Sequence, residues 1–396
     1  MLNPFYWYSV IWTIILISYQ FYLSNILIKL SITTILFLMI TIIFSFLIGY
    51  KLKEKYKFKK LDNLQSNHSF KIVLLIVLLN SIEFIYCKQI PLFSVILGKA
   101  RYAEYTGIPT IHVIIVTFTM FYAIYMAYLY LAVKQKRYMI NFGILLGILV
   151  LLLSRSLIFI VLMAVIVMYF STIKFNNKNI IIFSILIILG MWAFSILGNL
   201  RSGVAWNDYS FINTVGEIKE NGWFPNVFNW IYLYITTPLA NLEFNIQQVE
   251  PLYNLKQGIF NNFIPDFISK RIISETTEVL LINPAFTVST AFAQIHNSFG
   301  LIGMYLLFGF YSLINISYIY IVNEENRFYT LGISCLTTMM MLTFFVNSYM
   351  YSGWSFILVF PIIYVIYSEL DKRYQINNFI FQRFKRLKYR KLDKDE

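Results

Sequence analysis

Residues 31–60 read SITTILFLMITIIFSFLIGY followed by KLKEKYKFKK, and this one stretch decides the class of fold. Twenty residues without a charge make, as a helix, a rod of about 30 Å, which is the thickness of a bilayer's hydrocarbon core. Six lysines then fall within ten positions, the mark of a cytoplasmic membrane boundary. The same reading extends in both directions. Apolar runs occur at about 5–23, 31–50, 71–87, 111–133, 138–153, 157–173, 180–197, 299–322, 328–346 and 354–370, and they predict ten transmembrane helices. The fifth and sixth are short and are parted only by Ser154-Arg155-Ser156, so they read as a tight hairpin.

Composition agrees. The chain of 396 residues is 59% hydrophobic but only 13% charged, against about 25% charged in a soluble domain, so it lacks the charge to coat a surface facing water. Of the 32 Lys and Arg residues, 22 follow the even-numbered runs or lie in the 371–396 tail. That bias sets both termini in the cytoplasm and assigns the net charge of +13 to topology and anionic lipid, leaving no nucleic-acid partner. The N-terminus carries no basic region and no small-residue cleavage site, so it reads as a first span rather than a cleaved signal. Cys87 and Cys335 fall at different membrane depths and no zinc-type Cys/His spacing occurs, so neither a disulfide, a metal nor a cofactor is expected.

The expected fold is therefore an all-α polytopic membrane protein. Residues 1–197 form a bundle of seven spans, 198–298 a large, partly helical loop on the outer side, 299–370 three more spans, and 371–396 a basic cytoplasmic tail. The long loop is net acidic, with five basic residues against eight acidic, and loops of this length are usually functional. Its run Trp223, Phe224, Phe228, Trp230, Tyr232 and Tyr234, leading into Thr236-Thr237-Pro238, predicts a helix lying in the outer interface. Gly143 and Gly147 form a GxxxG pair that reads as helix packing.

Ionisable groups at the membrane boundary are the candidates for chemistry. Arg155, at the outer hairpin tip, is either an anion clamp or an arginine snorkelling to the surface. Arg201, within Gly198-Asn199-Leu200-Arg201-Ser202-Gly203, either reaches a lipid head group or anchors the helix exit. His296, at the mouth of the eighth span, is a base, a phosphate ligand or a structural histidine. Glu243 is an alternative base or a partner for Arg201, and Lys99 and Arg101 are a weaker pair that adds positive charge to the same surface. Glu83 stands out as a carboxylate toward the end of the third span.

This layout resembles the oligosaccharide repeat-unit polymerases of bacterial surface polysaccharides, the O-antigen polymerase (Wzy) family. The resemblance covers most of the chain in architecture. In sequence it rests on short segments: Ile90-Pro91-Leu92-Phe93 through Gly107-Ile108-Pro109, the Ser154-Arg155-Ser156 tip, 198–203, 234–241 and 289–303. It implies a GT-C-like, metal-independent glycosyltransferase of the bacterial inner membrane. Such an enzyme transfers the growing glycan from undecaprenyl diphosphate to a sugar hydroxyl of an incoming lipid-linked repeat unit at the periplasmic face. The implied roles are diphosphate binding for Arg155, Arg201 and, more weakly, Arg101, and a catalytic role for His296, with Glu243 as the other candidate base. The implied partners are undecaprenyl-diphosphate-linked oligosaccharide and membrane lipid, with a chain-length-regulating protein as a further candidate. A lipid-linked oligosaccharide flippase or other transporter is the competing reading, but it predicts polar groups near mid-membrane and short loops. A non-enzymatic scaffold is a third.

Overall fold

The computed structural model describes residues 2–59, 69–97, 105, 107–172, 176–220, 223–273 and 277–370, which are helical with no strand among them. The first half holds α1 (Pro4–Gln20), α2 (Ile32–Lys51), α3 (Ser69–Tyr86), α4 (Pro91–Ile96), α5 (Ile111–Val133), α6 (Lys136–Leu151), α7 (Arg155–Thr172) and α8 (Asn177–Arg201). The long loop contributes α9 (Ser210–Val215), α10 (Asn229–Gln248), α11 (Leu255–Phe263) and α12 (Asp266–Ile272). Helices α13 (Ala291–Ile321), α14 (Tyr329–Met341) and α15 (Ser352–Leu370) complete the chain.

Each of the ten apolar runs falls on a helix. Five of these helices, α2, α3, α5, α13 and α15, are long and apolar enough to cross a membrane. The short ones include α6, with 16 residues, and α14, with 13, below the roughly 17–25 a span needs.

Side-chain placement on α2 is the inverse of a soluble helix. It turns Leu36, Ile40, Ile43, Phe44 and Leu47 outward and buries Thr34, Thr41, Ser45 and Gly49. Small and hydroxylated residues let backbones approach and supply interhelical hydrogen bonds, which hold helices together when the surroundings are as apolar as leucine. Accordingly Tyr8 Oη donates to Thr41 Oγ1 at 3.1 Å, Ser45 Oγ to the Phe5 carbonyl at 2.9 Å, and Asn3 Nδ2 to the Gly49 carbonyl at 2.8 Å. Helix α3 likewise buries Asn80 and Glu83 while exposing Leu74, Leu75, Leu78 and Ile82.

The connections sort onto two faces. On one, Lys55 and Lys59, which follow α2, pair with Glu324, which follows α13, at 3.4 and 2.6 Å. Tyr128, near the end of α5, donates to the Lys59 carbonyl at 2.8 Å. On the other, the turn after α1 meets the long loop: Asn25 N donates to the Glu217 carbonyl at 3.0 Å and Lys219 N to the Leu23 carbonyl at 2.8 Å. Alternating helix direction requires this division. The 371–396 tail lies outside the described residues.

Helix α10 departs from expectation. Rather than lying along a surface, it packs among α1, α8 and α13 and buries Trp230, Tyr232, Leu233, Leu239 and Leu242. Its aromatic run, read as a boundary signal, is here core packing. Because α1 contacts α2, α10 and α14, the early helices, the long loop and the last helices share one hydrophobic core.

Helix α13 begins eight residues before the predicted span and kinks at Gly300, whose φ of 64° and ψ of −154° are open almost solely to glycine. The kink frees the carbonyls of Asn297 and Ser298, which accept instead from Leu252 N and Tyr253 N at 3.0 and 2.9 Å.

Candidate functional site

A cavity of about 580 Å³ opens between the C-terminal end of α8, α9, α10 and residues 285–288. Its wall carries six aromatic residues, Phe194, Phe211, Trp230, Tyr234, Phe286 and Phe345, among aliphatic ones, and its polar residues include Ser202 and Thr237. Three local features build it. Gly198 has no side chain because a Cβ there would stand 2.7 Å from the Trp230 ring. That close approach lets Trp230 Nε1 donate to Asn199 Oδ1 at 2.7 Å, and Asn199 Nδ2 donates in turn to the Trp206 carbonyl at 3.0 Å. The glycine-rich 198–203 stretch thus serves helix contact at Gly198 and helix termination at Gly203, where φ is 77°.

Second, Pro238 within α10 lacks an amide donor, and the hydroxyls of Thr236 and Thr237 bond the carbonyls four residues back, both at 2.7 Å. Third, two asparagines of α10 hold an extended strap across the cavity. Asn241 accepts from Ile282 N at 2.8 Å and donates to the carbonyls of Phe286 and Val288 at 3.0 and 2.7 Å. Asn245 accepts from Leu280 N and donates to the Leu280 carbonyl, and Asn297 Nδ2 closes the network on Asn245 Oδ1 at 2.7 Å. Each amide replaces a neighbouring strand, satisfying a buried backbone that has no sheet to join.

The expected site residues are distributed as follows. Arg201 is the last residue of α8, between the cavity-lining Gly198 and Ser202, and Arg155 is the first residue of α7. Their side chains, like the whole of Arg101 and Lys99, lie outside the described residues. Glu243 is fully buried and caps α2: it accepts from Ser31 N at 3.0 Å, Ser31 Oγ at 3.2 Å, Thr34 Oγ1, and Gln247 Nε2 at 2.7 Å. Negative charge at a helix N-terminus is stabilising, and these donors occupy the carboxylate. His296 is 7% exposed, lies within electrostatic reach of Glu243, and has Nδ1 3.3 Å from Asn297 Oδ1. Neither Glu243 nor His296 lines the cavity.

A second constellation emerges only from the structure. Glu83, wholly buried at the end of α3, meets His112 at the start of α5, with Nδ1 2.9 Å from Oε2, and also accepts from Ile108 N at 3.0 Å. Glu83 drew notice as a carboxylate near a span's end. Alternation of the spans puts the end of the third and the start of the fourth on one face, which is the signal that could have paired it with His112. Arg271 of α12 donates to Thr110 Oγ1 at 3.3 Å, bringing the long loop to the same corner. Among the described residues no three His, Cys, Asp or Glu side chains gather as a metal ion would require.

No family model, curated protein or solved structure matches the chain.

Proposed function

We propose that this chain is a membrane glycosyltransferase that polymerises surface polysaccharide, moving a growing glycan from undecaprenyl diphosphate to a sugar hydroxyl of an incoming lipid-linked repeat unit. The observation that carries the reading is the aromatic cavity at the end of α8, beside Arg201 and on the face that bears the long loop. Aromatic walls suit a prenyl chain or the apolar face of a sugar, and an arginine in the chain between two lining residues is the residue type that binds phosphates. On this reading ten helices span the bacterial inner membrane with both termini cytoplasmic, and the cavity opens at the periplasmic boundary. Arg201 and Arg155 favour the negative charge that develops as the diphosphate departs. The GT-C-like description and a chain-length-regulating partner belong to the same proposal.

The test is the length ladder of surface polysaccharide in a strain lacking the gene, complemented with full-length variants. Arg201→Ala and Arg155→Ala should leave single-repeat glycan on the lipid anchor with the protein still present in the membrane. Long chains from both variants would overturn the assignment. Loss of even single repeats from the outer surface would instead indicate a flippase.

A further inference from the structure

We propose that a second, apolar cavity, walled by α1, α7, α10 and the end of α14, holds one acyl chain of a bilayer phospholipid. The inference is separate from the polymerase reading and does not need it. The cavity measures about 180 Å³ and is lined by Ile11, Ile14 and Ile15 of α1, Phe159 and Met163 of α7, Ile235 of α10 and residues within 338–344. Its one polar lining residue is Thr338, whose hydroxyl donates to the Ser334 carbonyl at 2.9 Å, so the wall offers water almost nothing. Water needs about two to four polar partners to settle in a cavity, and voids lined by aliphatic and aromatic side chains stay dry and take apolar guests.

Depth decides which guest is at hand. Helix α1 runs antiparallel to α2, which is long and apolar enough to cross a membrane, with Phe5 beside Ser45 and Tyr8 beside Thr41. Thr41 stands midway along α2, so Ile11, Ile14 and Ile15, about one to two turns beyond Tyr8, lie between mid-depth and the Ile32 end. That end meets the long loop, where Ser31 N donates to Glu243. At the same level α2 turns Leu36, Met39 and Ile40 outward, which sets the slot amid hydrocarbon rather than water. The mouth is open to that medium, since Ile14 is 48% and Phe159 49% exposed. No basic or amide side chain lines the slot, so nothing there recognises a diphosphate. It selects by tail alone, and phospholipid is the tail in excess.

The slot backs onto the larger cavity. Tyr234 and Phe345 line the larger cavity, while their chain neighbours Ile235 and Phe344 line the slot. The Tyr234 and Phe345 rings stack with centroids 6.3 Å apart, and Phe345 meets Phe344 at 5.8 Å. A chain in the slot therefore supports this aromatic wall from behind, filling space whose lining would otherwise lack contact partners.

The experiment titrates the purified full-length chain in detergent with a phosphatidylglycerol that carries a photoactivated diazirine midway along one acyl chain. Labelled residues are read by mass spectrometry. Labelling at Ile11, Phe159 and Met163 should saturate, whereas labelling at the outward Leu36 and Ile40 of α2 should rise in proportion to the probe. Unlabelled phosphatidylglycerol should displace the saturable label, and the same concentration of undecaprenyl phosphate should not. Ile14→Trp, which puts a larger side chain at the exposed mouth, should cut labelling at Phe159 and Met163 by about tenfold and leave that of α2 unchanged. Proportional labelling at every position, or an undiminished label in Ile14→Trp, overturns the slot. Displacement by undecaprenyl phosphate as strong as that by phosphatidylglycerol, or stronger, overturns the phospholipid assignment and makes the slot a prenyl site.

Discussion

At Gly300 the backbone occupies a region that side-chain-bearing residues avoid, and an added Cβ would also approach Pro251 Cγ to 3.2 Å. Gly300→Ala should therefore destabilise the protein by about 1–3 kcal/mol, seen as a lower Tm of the detergent-solubilised chain. An unchanged Tm would mean that the kink relaxes freely. Glu243 tests a different kind of residue. Glu243→Ala leaves the Ser31 and Thr34 donors of α2 and the Gln247 amide without their acceptor, at a cost of about 3 kcal/mol, whereas Glu243→Gln keeps an acceptor oxygen and should cost less. Equal Tm values for the two would count against the capping role.

Among the elements, the strap over α10 depends on two side chains. Asn245→Leu removes both bonds to Leu280 and the link to Asn297, so residues 277–288 should become the first site of limited proteolysis in detergent, with stability lower by about 1–3 kcal/mol. Cleavage elsewhere first would show that the strap is held by other means. The start of α15 responds to pH. Asp266 Oδ1 accepts from Ser352 N at 2.8 Å and Oδ2 from Lys270 Nζ at 2.8 Å. Burial alone would raise this carboxyl, but the hydrogen bonds from Lys270 and Ser352 outweigh it and hold it below the usual carboxylate range. A depressed carboxyl stabilises the fold above its unfolded pKa of about 3.9 and ceases to do so as pH falls through the lower folded value. The Tm should thus drop between neutral pH and about pH 3, and Asp266→Asn should flatten that drop. An identical pH profile in the variant would refute the assignment.

For the whole molecule, the two-sided arrangement of connections is open to labelling. With Cys87 and Cys335 replaced by serine, single cysteines at Lys57 and Glu325 should react with an impermeant maleimide from one side only, and those at Asp208 and Glu250 from the other. Labelling of 57 and 325 from opposite sides would break the topology. Much of this level was legible in the residues. The connections after the second and the eighth run were expected on one face, and Lys55 and Lys59 of the first meet Glu324 of the second in ion pairs. The α10 helix was anticipated from its aromatics and Thr236-Thr237, but its burial was not, because Trp and Tyr serve equally at a lipid boundary and in a core. Glu243 was noted as ionisable without its partners Ser31 and Thr34, which lie more than 200 positions away.

By itself the sequence determined the helical class and the position of the apolar runs. These are local quantities: hydropathy over about 20 residues fixes them without reference to any other segment. Tertiary structure alone decided that α10 lies inside the bundle, that Asn241 and Asn245 hold an extended strap, that Glu243 caps α2, and that Glu83 meets His112. The last three depend on a side chain finding a polar group distant in the chain, 29 positions away for Glu83 and 212 for Glu243 and Ser31. Removal from water obliges such groups to pair, but only packing chooses the partner.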